Sequence, residues 1–194
     1  AACKKQRDFE KELLDRGKAV LEELEKNPDM FAIVLFGRPY SAFASDANMG
    51  IPHKVASRGY YVIPYDMLSA GSYEVDQKMF WAMGQKIMKA AQFVKQRRNL
   101  FGFYVTNFSC GPDSFILGYF RNLMGSKPSL TLELDQHTAD AGIDTRTEAA
   151  LDIMKSYQRL GIEGDGLKRF RPAKVVNSGK EIKVISSSGK EYDL

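Results

Sequence analysis

The sequence predicts an α/β domain built on an open, mainly parallel sheet of about four strands with helices on both faces, plus a C-terminal β-hairpin. Two observations carry this prediction. Short apolar runs recur along the chain, as strands buried on both faces require, and stretches between them repeat apolar residues at three- and four-residue steps, as packed helices require. Strands alternating with helices imply parallel pairing through right-handed crossovers, the layout of a Rossmann-like or flavodoxin-like layered sandwich.

The elements follow in order. Phe9, Leu13, Leu14, Val20, Leu21 and Leu24 lie at helical spacing, and Asn27-Pro28 stops the segment, so a first helix is expected over residues 5–26. Residues 30–36 form an apolar run ending at Gly37-Arg38-Pro39, a strand buried on both faces. Residues 51–58 read as a helix with Pro52 in its first turn and Gly59 as terminator, and residues 60–64 as a second strand. Met79, Phe80, Met83, Ile87, Met88, Ala91 and Val94 mark a longer helix, which leads to a third strand at 100–106. A helix at 115–123, a strand at 129–134 and a closing helix carrying Ile143, Leu151, Met154 and Leu160 complete residues 1–160. Residues 161–194 are expected to form an appendage or the start of another module, with strands flanking the turn Asn177-Ser178-Gly179-Lys180 and a second turn at Ser188-Gly189.

The chain has 194 residues, 44% hydrophobic and 27% charged, enough for one domain with a proper core and ordinary for a globular protein. Its apolar runs fall far short of the roughly 20 residues that cross a bilayer, and it opens with Lys4, Lys5 and Arg7, so the expectation is a cytoplasmic protein with no membrane partner. A formal charge of +4, spread along the chain without aromatic interleaving, gives no support to nucleic-acid binding. Cys3 and Cys110 are the only cysteines, too few for a disulfide framework or a self-sufficient zinc site even with His53 and His137. No glycine-rich nucleotide fingerprint or P-loop occurs, so no ATP site is expected in this chain.

In an open parallel sheet the ligand site lies beyond the carboxyl ends of the strands. The loops there carry Arg38, Tyr40 and Asn48 after the first strand, Asp66 after the second, Asn107, Cys110, Asp113 and Ser114 after the third, and Glu133, Asp135 and His137 after the fourth. Cys110 stands just ahead of a helix amino terminus, where the dipole favours an anion and a thiolate suits an iron centre or a reactive cysteine; a small buried apolar residue is the equal alternative. Glu133, Asp135, His137 and Asp140 offer metal ligands, an acid–base pair, or a carboxylate orienting an imidazole, against helix capping by Thr138 or Asp140, which is favoured for Asp140. Arg38 suits bidentate binding of a phosphate or carboxylate, although pairing with Asp46 or Glu133 is slightly favoured.

The segments Gly37-Arg38-Pro39-Tyr40, Asn48-Met49-Gly50-Ile51-Pro52, Thr106-Asn107-Phe108-Ser109-Cys110-Gly111-Pro112-Asp113-Ser114-Phe115 and Leu132-Glu133-Leu134-Asp135-Gln136-His137-Thr138-Ala139-Asp140-Ala141-Gly142 occur in this order. Together they resemble the dehydratase-like region of large CoA-substrate-specific enzyme activases, related to 2-hydroxyacyl-CoA dehydratase and benzoyl-CoA reductase. The resemblance covers about residues 5–160. It implies an uncharacterised domain that contributes to ATP-driven, low-potential electron transfer through a [4Fe-4S] cluster and is not active alone. Cys110 would be one cluster ligand, the others coming from outside this chain. The implied partners are neighbouring domains of the same large polypeptide, including an ATP-binding activator module, and an acyl-CoA substrate. Two readings remain beside it: a non-redox module for a CoA or nucleotide-like ligand held by Arg38 and the helix start at Gly111, and an inter-domain assembly module.

Overall fold

A computed structural model describes residues 2–75, 79–107 and 110–161, and the backbone of 174–177, 182–185 and 191–193. Contacts divide the chain into two units, residues 1–164 and 165–194.

In the first unit, α1 (Ala2–Lys26) precedes β1 (Ala32–Phe36), a short α2 (Pro39–Ala42) and α3 (Ile51–Ala56). Next come β2 (Tyr61–Pro64), a 3-10 turn (Tyr65–Met67) and α4 (Ala82–Lys95). The chain continues through β3 (Leu100–Asn107), α5 (Gly111–Met124), β4 (Ser129–Leu134) and α6 (Asp140–Arg159). All strands are parallel in the order β2-β1-β3-β4, with Ala32 beside both Tyr61 and Leu100, and Gly102 beside Ser129. This is the α/β fold the apolar runs predict. All five side chains of β1 are buried, because both sheet faces are covered.

Alternation along the strands sorts the core into two layers. Ala32, Val34, Phe36, Leu100 and Tyr104 pack with Leu24 of α1, Ile87 and Val94 of α4, and Ile116 and Phe120 of α5. On the other face Ile33, Leu35, Phe101, Phe103 and Val105 pack with Val55 of α3 and with Ile143, Leu151 and Met154 of α6. Helices α4 and α5 thus cover one face, while α3 and α6 cover the other. The chain reverses direction across the sheet between β1 and β3, and that reversal positions the site described below.

Three local outcomes are decided by particular residues rather than by apolar spacing. Helix α5 begins at Gly111, as the Cys110-Gly111-Pro112 turn indicates although the apolar spacing marks only 115–123, because Cys110 serves as its N-cap and Pro112 fits its first turn. Helix α4 begins at Ala82: Met79 is buried ahead of it, Phe80 is 89% exposed, and Trp81 is extended. The helical spacing of Met79 and Phe80 therefore does not carry them into the helix. Gly17 of α1 lies so close to the 3-10 turn that a Cβ there would sit 2.0 Å from the Met67 carbonyl oxygen; only glycine permits this approach.

One buried cation supports the first face. Lys127 is 6% exposed, and its Nζ donates to the carbonyls of Val94 (2.7 Å), Lys95 (3.4 Å) and Arg97, satisfying carbonyls left open as α4 ends. Burial lowers its pKa to about 7, with the nearby Arg97 charge adding to the effect.

In the second unit, β5 (Lys174–Asn177), β6 (Ile182–Ile185) and β7 (Glu191–Asp193) form an antiparallel sheet in sequence order. Most of the turn expected at 177–180, and the turn at Ser188-Gly189, lie outside the described residues.

Candidate functional site at the β1–β3 reversal

Gly37 ends β1 with φ +136°, and a Cβ there would lie 2.3 Å from the Val105 carbonyl oxygen of β3. The close approach of the two strand ends aims the next residue, Arg38, across the reversal. Arg38 is the N-cap of α2, with Pro39 opening that helix, and its guanidinium lies 4.7 Å from the centre of the Tyr40 ring.

Across the reversal stand Cys110 and Asp113. The Nη2 of Arg38 donates to the Cys110 sulfur, which also accepts from the backbone N–H of Asp113 at 3.4 Å. Arg38 Nε lies 3.3 Å from Asp113 Oδ1, close enough for an ion pair, yet this buried nitrogen makes no hydrogen bond among the described residues. The Asp113 side chain is only 1% exposed. It accepts from Thr106 Oγ1 at 2.5 Å and from the Tyr104 hydroxyl at 3.5 Å. Burial and the neighbouring carboxylate push the Tyr104 phenol well above its ordinary range, so it stays protonated and able to donate. Asp113 is a buried carboxylate compensated by one cation and two hydroxyls, which is the condition under which a protein tolerates buried charge.

Several expectations need correction. Arg38 pairs with Asp113, not with Asp46 or Glu133, because the parallel neighbours β1 and β3 end side by side and bring it to the start of α5. Asp140 does not cap α6: Ala139 occupies the N-cap without a side-chain bond, and Asp140 instead accepts from Lys54 of α3 at 2.9 Å. Lys54 and Arg58 on α3 face Asp140, Asp144 and Glu148 on α6, a helix-to-helix charge ladder that sequence reasoning missed although both sets recur at four-residue spacing.

The remaining candidates fall into four groups. Tyr40, 54% exposed, stands beside Arg38 at the rim. Asn48 is buried and serves its own loop, donating to the Ala42 carbonyl and accepting from the Gly50 N–H. The Asn107 carbonyl accepts from the Cys110 N–H, and Ser114 Oγ donates to the Cys110 carbonyl, so both shape the turn that holds the thiol. Glu133 is exposed near the end of β4, and Asp135 and His137 are exposed after it. There Asp135 accepts from the His137 N–H at 2.9 Å and from Thr138 Oγ1 at 2.8 Å, a local turn whose bonds, led by that of Thr138, hold the Asp135 carboxyl below its usual range.

Sequence reasoning missed Thr106 and Tyr104 as partners of Asp113. Their two-residue spacing puts both on the face of β3 that α5 covers, and this was a readable signal. A separate cavity of about 380 Å³ lies between α1 and α4, lined by Phe9, Leu13, Leu14, Asp66, Lys86 and Lys89 among others. Burial raises the Asp66 carboxyl there. Among the described residues, no group of three His, Cys, Asp or Glu side chains is placed to hold a metal ion, and no helix is long and apolar enough to cross a membrane.

Comparison with known proteins gives one family. Residues 1–68, from α1 through β2 to the 3-10 turn, match the family described as "CoA enzyme activase uncharacterised domain". No curated protein and no solved structure matches the chain. The matched stretch contains β1, the Arg38 loop and α3, one side of the β1–β3 reversal. Over residues 1–68 the chain is thus similar to a CoA enzyme activase domain.

Proposed function

We propose that this domain provides one thiolate ligand, Cys110, to a [4Fe-4S] cluster in an activase-type protein, where ATP-driven activation sends electrons to that cluster at low potential. The carrying observation is the environment of the Cys110 sulfur. It sits half-buried at the sheet's reversal, the N-cap of a helix, and accepts from a guanidinium and a backbone N–H. A cysteine sulfur held at a loop mouth by such donors is one an iron centre can take as a ligand.

Cys110 would hold one corner of a cluster, since among the described residues no group of three His, Cys, Asp or Glu side chains could hold a metal alone. Cys110 supplies one sulfur, and the other cysteine, Cys3, lies in the first turn of α1, so further ligands come from other segments or another chain. A bound cluster would supply a one-electron carrier. This chain's own residues hold the sulfur: the Asn107 carbonyl and the Ser114 hydroxyl fix the turn, and Arg38 and Asp113 set the charge around it. The same contacts weaken a phosphate-binding role, because the Arg38 guanidinium already faces Asp113 and Cys110. The neighbours completing the site would include an ATP-binding activator module, with an acyl-CoA as the reaction's substrate.

The test is iron and acid-labile sulfide content after anaerobic purification, on this chain and on the protein extended through its natural neighbours, each with Cys110→Ser alongside. Iron in the extended protein alone, lost in the Cys110→Ser form, supports the reading. Unchanged iron in the Cys110→Ser form sinks it.

A further inference from the structure

We infer that the cavity between α1 and α4 is a binding site for a small apolar amino acid, whose ammonium meets Asp66 and whose carboxylate meets Lys86. The site shares no lining residue with the contacts around Cys110, so it stands whether or not that thiol holds iron. At about 380 Å³ the cavity falls within the size range of small-molecule sites. It also lies where an open parallel sheet places its ligands, because β2 leads straight into the 3-10 turn that carries Asp66.

The lining combines an apolar wall with one uncommitted pair of charges. Phe9, Leu13 and Leu14 of α1 line the cavity together with Leu68, Ala70 and Ala90. Phe9 is 54% exposed, apolar surface that a ligand's hydrocarbon side chain would cover. Four charged residues complete the lining, and two of them are engaged: Glu10 accepts from Gln6 at 3.1 Å, and Lys89 donates to the Gly71 carbonyl at 3.1 Å. Asp66 and Lys86 remain. They are near enough to feel each other's charge but form no ion pair, and among the described residues Lys86 has no hydrogen-bond partner. Partial burial outweighs the pull of Lys86 and raises the Asp66 carboxyl, so that charge is left under-compensated.

One anion and one cation held apart beside an apolar wall are complementary to a zwitterionic head on a hydrocarbon side chain. A fatty acid leaves Asp66 unpaired, a simple amine leaves Lys86 unpaired, and a phosphate meets a single free ammonium beside a carboxylate. The walls are also fixed before any ligand arrives. Gly17 of α1 is pressed against the Met67 carbonyl next to Asp66, and the Lys89 bond ties α4 to the loop that follows.

The experiment is isothermal titration calorimetry of the whole chain with L-phenylalanine and L-leucine, and with two half-analogues, 3-phenylpropanoate and phenethylamine. L-Phenylalanine or L-leucine should bind, and each half-analogue should bind about tenfold more weakly than L-phenylalanine or worse, the loss of one charge-assisted contact. Asp66→Asn should erase the advantage over 3-phenylpropanoate, and Lys86→Met the advantage over phenethylamine, while Cys110→Ser leaves all affinities unchanged. No heat with either amino acid, half-analogues that bind as tightly, or a preference that survives both substitutions overturns the inference.

Discussion

The loops after β3 and β4 carry similar polar residues at equivalent positions of one sheet, yet the structure uses them in opposite ways. After β4, Asp135, His137 and Thr138 bond to one another within a few residues, and Asp135 and His137 remain exposed. After β3, Cys110 and Asp113 find a partner 72 residues away from the thiol, and Asp113 is lost to solvent altogether. The difference is position in the sheet. β4 is an edge strand, so its loop meets water and can satisfy itself locally. β3 is central and adjoins β1 where the chain reverses, so its loop must meet another loop, and buried polar groups there need partners from a distance.

Removing Arg38 should break the central loop most severely. Arg38→Met leaves the Asp113 carboxylate buried without its cation, a change that costs about 3–5 kcal/mol in comparable buried pairs, read as a lower urea midpoint. The double variant Arg38→Met with Asp113→Leu should recover much of that loss, because the penalty comes from the unpaired charge; a double variant as unstable as the single one contradicts this account.

Gly37→Ala comes next. It places a Cβ against the Val105 carbonyl at a backbone angle that side-chain-bearing residues avoid, and should cost about 2–3 kcal/mol by the same measurement. A neutral result means that the two strand ends separate more easily than their contact implies.

Lys127 sharpens the comparison by showing a second buried charge, this time satisfied by backbone. Lys127→Met leaves carbonyls at the end of α4 without their donor and should cost about 1–3 kcal/mol at pH 9. The pH dependence has a definite sign. The folded chain gives up this proton near 7, whereas the unfolded chain holds it to about 10.4, so between those values the unfolded state binds more protons and stability rises with pH. Urea midpoints of the native chain minus those of Lys127→Met should therefore increase from pH 7 to pH 9.5; a flat difference removes the burial argument.

His137→Ala should have the smallest effect, leaving the urea midpoint unchanged, since only its backbone N–H takes part in the Asp135 turn. A clear loss of stability would give this exposed loop a structural role that its contacts do not show.

Much of this was legible in advance. The run at 30–36 and the helical spacing in the closing helix gave correct elements, because a strand buried on both faces and a helix with one buried stripe each leave a periodic trace. The start of α5 is legible in the Cys110-Gly111-Pro112 turn, although the apolar spacing marks only 115–123; the capping bond of the cysteine sulfur is not, because cysteine is not among the usual capping signals. Within the site, Arg38 and Cys110 stood out as residues, but their partnership did not.

By itself, then, the sequence determined the parallel α/β architecture, the strands' order along the chain, and which polar residues would gather at the carboxyl ends. Those properties are encoded in local apolar periodicity and in residues a few positions apart. Only the tertiary structure decided that Arg38 turns to Asp113 and Cys110, that Asp140 serves Lys54, and that His137 stays outside. Each choice depends on which strands lie side by side, and the order β2-β1-β3-β4 is set by packing across the whole sheet rather than by any local stretch of chain.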